Sequence, residues 1–277
     1  MIHSIHTAVW HRSWSDDVQP FLDRAAQLGF GGAEVSLLGD EASYAALRRK
    51  ARELGLVLTA TTGLSGHTDI GSEDPYVRAA GRRALETAVR SAATLGAHQL
   101  SGVIYGAWGH TNGKRLEARR GWATEALSDL APLALDAGVT LGIEAINRYE
   151  TDLINTAEQA VKLAEDVGAP NVGVLLDSYH MNIEEKDPAR AVRSTGSHLV
   201  HMHVSGRDRG VPNQLDLQRS GLAEALSDVG FDGVITCEMF VQADQDVSED
   251  LTVWRDIESD PTDAAECALQ VFKEWLP

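Results

Sequence analysis

Along this chain one couplet recurs: an amphipathic stretch, a glycine, then a short apolar run. Five copies are plain, at Gln27-Leu28-Gly29-Phe30-Gly31, Thr94-Leu95-Gly96-Ala97, Asp136-Ala137-Gly138-Val139, Asp166-Val167-Gly168-Ala169 and Asp228-Val229-Gly230-Phe231. Glycine after a helix suits a left-handed C-terminal cap, and the apolar run that follows suits a buried strand. The pattern predicts eight strands: Ile5–Trp10, Ala33–Leu38, Val57–Thr62, Gln99–Tyr105, Thr140–Ile146, Val172–Asp177, Leu199–Val204 and Val234–Phe240. Helical periodicity is clearest over Asp16–Leu28, Tyr76–Leu95, Arg115–Ala137, Thr156–Val167, Gly221–Val229 and Asp263–Trp275. Strands that are apolar almost throughout, alternating with helices, imply a parallel sheet covered on its faces. Eight such units point to an α/β fold, a (β/α)8 TIM barrel, in preference to an open doubly wound sheet.

The chain has 277 residues, within the range that one barrel domain occupies, and no linker or low-complexity tract interrupts it. A single domain spanning residues 1–277 is expected. The irregular acidic tail from Gln242 to Asp263 reads as a long final βα loop. Hydrophobic residues make up 43% and charged residues 23%, an ordinary globular mix. With 24 basic and 41 acidic residues the net charge is −17, and no basic patch stands out. Such a chain repels phosphate backbones and anionic lipid, so neither nucleic acid nor a membrane surface is an expected partner. No apolar run is long enough to span a bilayer, and the N-terminus lacks the features of a secretory signal. The two cysteines, Cys237 and Cys267, make neither a disulfide framework nor a thiolate zinc cluster, so a cytoplasmic location is expected.

In barrels of this kind the chemistry sits at the C-terminal strand ends. The second half of the chain carries one polar candidate on each of its four strands: Glu144, Asp177, His203 and Glu238. They follow one another by 33, 26 and 35 residues, one βα unit each time. Alone, each is equally a salt-bridged or solvated strand-end residue. Together, three carboxylates and an imidazole converging on one mouth suit a divalent metal ion, with Mn²⁺ favoured and Mg²⁺ or Co²⁺ as alternatives. Without a cation the carboxylates would repel one another. Glu150 follows Glu144 in the loop over the mouth. His180, three residues past Asp177, stands either in reach of a substrate hydroxyl or as a surface-loop histidine. His201 shares the inward face with His203 one layer deeper, as a supporting or core residue. Arg209 is a candidate clamp for a substrate oxygen, ahead of the neighbouring Arg207. The ends of the first three strands (Trp10, Leu38, Thr62) are poorly charged, so no anion site for a phosphorylated sugar is evident.

Several runs resemble the ketose 3-epimerases, the D-tagatose and D-psicose 3-epimerase group within the xylose-isomerase-like barrel superfamily. They are Glu144-Ala-Ile-Asn-Arg-Tyr-Glu150, Leu176-Asp177-Ser-Tyr-His180-Met-Asn-Ile-Glu-Glu185, His201-Met-His203, Thr236-Cys-Glu238-Met-Phe240 and Val253-Trp254-Arg255-Asp256. The resemblance implies metal ligation by Glu144, Asp177, His203 and Glu238, with Glu144 and Glu238 also the catalytic acid/base pair. It implies substrate contacts from Glu150, His180 and Arg209, and Trp108 resembles an aromatic lining the family's mouth. It further implies epimerisation of an unphosphorylated ketose at C3 through a cis-enediolate, in a homodimer or homotetramer. A related sugar isomerase, or a dehydratase or β-eliminating lyase acting on a keto-sugar, begins with the same proton removal. The loop Ser205-Gly206-Arg207-Asp208-Arg209 departs from the family's usual Gly-Glu-x-Asn-Arg. A DNA-repair endonuclease would want more histidines and a basic face, and a non-catalytic sugar-binding barrel would leave the two glutamates without work.

Overall fold

The computed structural model describes residues 1–111 and 113–276. Eight parallel strands close into a barrel, each paired with the next in sequence and the last with the first. They are β1 (Ile2–His6), β2 (Gly32–Ser36), β3 (Val57–Leu64), β4 (Gln99–Ala107), β5 (Thr140–Ala145), β6 (Val172–Asp177), β7 (Leu199–Val204) and β8 (Val234–Cys237). The helices are α1 (Gln19–Leu28), α2 (Glu41–Leu54), α3 (Pro75–Leu95), α4 (Leu116–Asp136), α5 (Ala157–Val167), α6 (Ser178–Glu184), α7 (Pro188–Thr195), α8 (Gln214–Ser220), α9 (Leu222–Asp228), α10 (Asp246–Asp250) and α11 (Pro261–Trp275). The expected (β/α)8 architecture is therefore observed. Among the described residues no helix is long and apolar enough to cross a membrane.

The recurrent couplet works as its glycines suggest: Gly29, Gly96, Gly138, Gly168 and Gly230 all have positive φ at or just beyond a helix end. The main hydrophobic core fills the layer between helices and sheet, with Leu22, Leu85, Leu127, Leu163 and Phe272 packed against strand residues such as Ile5, Leu100, Ile143 and Val174.

Only β6 and β7 keep the expected bounds; β2, β3, β4 and β5 differ by one or two residues at one or both ends, and β1 and β8 differ most. The first runs over Ile2–His6 rather than Ile5–Trp10, and Thr7–Trp10 forms a 3-10 turn. The His6 ring accepts from the Ala8 N–H and the Thr7 hydroxyl donates to the Glu34 carbonyl, so the chain turns inward. The apolar Ala8-Val9-Trp10 run is buried in that turn instead of in the sheet. The last strand stops at Cys237, not Phe240. Its continuation leaves the sheet, and the Phe240 N–H donates to the Arg209 carbonyl in the loop after β7. The tail before α11 is a long loop holding only the short α10.

Candidate active site

Side chains two residues apart on a strand face the same way, and in this barrel the inward positions are unusually polar. The deeper ring includes the buried Ser4, Glu34, Thr59, His201 and Thr236; the ring at the mouth includes the buried His6, Asp177 and His203 and the partly buried Ser36 and Thr61. Side-chain contacts between nearby strands mark this shared face. Thr59 donates to Glu34 Oε2 at 2.8 Å, Thr236 Oγ1 lies 3.2 Å from His201 Nε2, and His6 Nε2 lies 3.1 Å from Thr61 Oγ1.

The four candidate ligands come together at the mouth. One donor atom from each of Glu144, Asp177, His203 and Glu238 lies within 4.8 Å of all the others. Asp177 and His203 are register partners across β6 and β7, and Glu238 follows the end of β8. His203 Nδ1 faces the carboxylates at 3.4 Å from Glu238 Oε1 and 3.9 Å from Glu144 Oε1, and among the described residues it has no hydrogen-bond partner. A buried imidazole nitrogen left unbonded among three carboxylates fits a divalent cation, and an oxygen-rich set with one imidazole suits Mn²⁺, Mg²⁺ or Co²⁺.

Arg209 reaches the same carboxylates. Its Nη1 donates to Glu238 Oε2 at 2.6 Å and to Asp177 Oδ2 at 3.2 Å, and its guanidinium stacks 4.1 Å from the Tyr179 ring. The fields on the acids are unequal. Burial, then the charge of Glu238, pushes the Glu144 carboxyl well above its usual range. Burial opposes ionisation of Glu238 too, but His203 and Arg209 override it and hold that carboxyl well below the usual range. Asp177 is raised by burial, against the pull of Arg209, to about 6.

The remaining expected residues line one cavity of about 300 Å³ above this cluster: Glu150, His180, Arg209 and Trp108 all border it. Trp108 Nε1 donates to Glu150 Oε2 at 2.9 Å, and Asn147 Nδ2 donates to Glu150 Oε1 at 2.7 Å. Arg207 is exposed and pairs with Asp216 on the outside, 3.4 Å away, so Arg209 is the arginine of the site.

Three residues that the sequence reading passed over belong here. Glu34 is completely buried between two imidazoles, with Oε1 2.6 Å from His203 Nε2 and Oε2 2.8 Å from His201 Nε2. His201 is thus a supporting residue, as its position implied. The signal for Glu34 was present: a carboxylate flanked by Ala33 and Val35 in a strand buried on both faces has only the barrel interior to enter. His6 replaces Trp10 as the end of the first strand and lines the cavity with Ser36 and Thr61. Asn147 lies at the end of β5 in the loop that carries Glu150.

A family model described as a xylose isomerase-like TIM barrel matches residues 22–257. A D-psicose 3-epimerase of Agrobacterium fabrum is 34% identical over 93% of this chain and 91% of its own. An L-ribulose 3-epimerase of a Methylomonas species is 33% identical over 97% and 96%. A crystal structure of a D-psicose 3-epimerase in the presence of D-fructose superposes with a TM-score of 0.93 at 32% identity, covering 100% of this chain and 99% of that one. By sequence and by architecture alike, the chain belongs to the xylose isomerase-like TIM barrel family, in the company of the ketose 3-epimerases.

Proposed function

We propose that this protein is a divalent-metal-dependent ketose 3-epimerase acting on an unphosphorylated sugar, with Glu144 and Glu238 as its acid/base pair. The observation that carries the reading is the convergence of two glutamates from separate strands on one cavity, beside Asp177 and the unbonded His203 Nδ1. Relatives named as 3-epimerases of D-psicose and L-ribulose supply the reaction class. Glu144, Asp177, His203 and Glu238 would hold the cation, which supplies Lewis-acid polarisation of the ketose carbonyl.

The protein's own residues do the rest. The fields on the two glutamates are opposed, with Glu144 raised by burial and the charge of Glu238 and Glu238 lowered by His203 and Arg209, so the pair is unequal before any cation binds. One glutamate removes the C3 proton and the other returns a proton on the opposite face, which inverts the centre. Glu150, His180 and Arg209 orient the sugar oxygens, and Trp108 holds Glu150. Among the described residues Arg209 is the only Arg or Lys bordering the cavity, and Glu238 and Asp177 already engage it, which favours a neutral sugar over a phosphorylated one. A homodimer or homotetramer in the cytoplasm belongs to the same proposal.

The test is proton NMR in D₂O, with the chelated and then Mn²⁺-reconstituted protein incubated with D-fructose, D-tagatose, L-ribulose and D-xylulose. Metal-dependent deuterium entry at C3, with the epimer appearing, is expected. Exchange at C1 with aldose appearing would make the protein an isomerase. No exchange on any free ketose, with metal bound, would overturn the reading and favour elimination chemistry on an oxidised sugar. With Mn²⁺ saturating, Glu144→Gln and Glu238→Gln should each abolish epimerisation. Each should keep C3 exchange from one epimer only, because each base serves one face.

A further inference from the structure

We propose that Asn147 is a positioning residue that keeps the proton of His180 on Nε2, so that His180 and Arg209 offer a joint pair of donors to one substrate oxygen; the substrate part rests on the ketose reading. Asn147 is almost fully buried, at 1% exposure, and each of its polar groups is assigned by its neighbours. The Tyr149 N–H, which can only donate, lies 2.9 Å from Oδ1 and so fixes the side-chain amide orientation. The NH₂ group then faces Glu150 Oε1 at 2.7 Å and His180 Nδ1 at 2.9 Å. The Asn147 backbone N–H also points at His180 Nδ1, from 3.1 Å. Two donors aimed at Nδ1 leave it no room for a proton, so the ring carries its hydrogen on Nε2.

Nε2 faces the cavity. Arg209 Nη2 lies 3.3 Å from it, and oxygens of Asp177 and Glu144 lie 3.7 and 3.8 Å away. Both Nε2–H and Nη2–H are donors, so they cannot bond each other. With the proton on Nε2 this 3.3 Å contact sets donor against donor, and one acceptor oxygen in the cavity that takes both N–H groups relieves it. A sugar carbonyl or hydroxyl oxygen beside Glu144 meets that requirement, and it gains most where it carries negative charge as the C3 proton leaves. Asn147 therefore couples the donor pair to Glu150, the other polar wall of the cavity, through one side-chain amide.

The experiment is long-range ¹H–¹⁵N NMR on full-length protein with labelled histidines, loaded with diamagnetic Mg²⁺, with His180 assigned by its loss in His180→Gln. The wild-type spectrum is expected to display an unprotonated Nδ1 and a protonated Nε2. Asn147→Asp keeps the acceptor for Tyr149 but puts a carboxylate oxygen against Nδ1. It should draw the His180 proton toward Nδ1, against the backbone N–H that remains, so that the Nε2–H population falls, and lower kcat for C3 exchange by about 10- to 100-fold, the range for residues that orient a site's ligands. KM should change by less than roughly threefold, since the lost interaction develops with the transition state. A protonated Nδ1 in the wild type would overturn the proposal. So would a folded Asn147→Asp protein with an unchanged spectrum and kcat. If Asn147→Asp fails to fold, the wild-type spectrum decides alone. A wild-type protein that exchanges no ketose proton would sink the epimerase reading, and the spectrum would still decide the placement of the proton by Asn147.

Discussion

Glu34 and His203 illustrate how single residues share work in this site. His203 turns Nδ1 toward the carboxylates at the mouth and Nε2 toward Glu34, which is itself braced by Thr59 and His201. A buried carboxylate behind a ligating imidazole fixes the ring and raises its basicity. The buried anion is in turn sustained by its partners: burial opposes its charge, yet His203 and His201 hold the Glu34 carboxyl well below its usual range. Glu34→Gln keeps the shape and removes the anion. Titration calorimetry with Mn²⁺ should give a Kd about 10- to 100-fold weaker, because the ring is no longer held. An unchanged Kd would reduce Glu34 to a structural residue. The substitution also leaves the four candidate ligands intact, so some metal should still bind at high concentration.

At the scale of elements, helices must approach the barrel closely enough to hold its loops in place, and α3 does so through Gly81. A Cβ there would collide with the Thr68 carbonyl oxygen and with Ile70, which belong to the loop after β3. Backbone cannot rotate away as a side chain can. Gly81→Ala should therefore cost about 3 kcal/mol, the upper part of the overpacking range, and lower Tm by roughly 6–12 °C. Gly55 makes the contrast. It caps α2 with φ 71°, and nothing lies within 4 Å of the place where its Cβ would stand. Gly55→Ala should cost only the left-handed backbone strain, about 1 kcal/mol. Thermal melts of the two variants check the ranking, and equal losses would contradict it.

Over the whole molecule the net charge of −17 and the acidic mouth favour cations and disfavour anions. On the proposed metal reading, metal and proton compete for the same carboxylates. The Asp177 carboxyl titrates at about 6 before metal binds, and Glu144 lies above its ordinary range, so the metal-free site holds protons that a cation must displace. The sign follows: lowering the pH through 6 protonates the ligands and weakens binding, and raising it strengthens binding. Mn²⁺ affinity should rise steeply between about pH 5 and 7, with proton release detectable by calorimetry in buffers of different ionisation enthalpy. A flat profile across that window would mean that the acids are already ionised. At pH 7.5, metal at about 100 times its Kd should stabilise the protein by about 2.7 kcal/mol, and EDTA should reverse the gain in Tm.

Much of this protein is legible in its sequence, and the reason is periodicity. Helix caps and apolar runs are local, so the order of eight βα units and the placement of Glu144, Asp177, His203 and Glu238, one per consecutive unit, follow from spacing alone. The ends of β1 and β8 were not legible, because Ala8-Val9-Trp10 and Met239-Phe240 are equally apolar in a strand or in a buried turn. Only tertiary contacts such as that between Thr7 and the Glu34 carbonyl choose between the two. The same holds for the site's inner support. Alternation puts Glu34 on the inward face but does not say that His201 and His203, far along the chain, stand opposite it. That depends on how the strands stagger when the barrel closes. Arg209 and Asn147 lie in loops without periodicity, where partners are set by the folded surroundings. Sequence determined which groups reach the mouth; closure of the barrel decided which of them face one another.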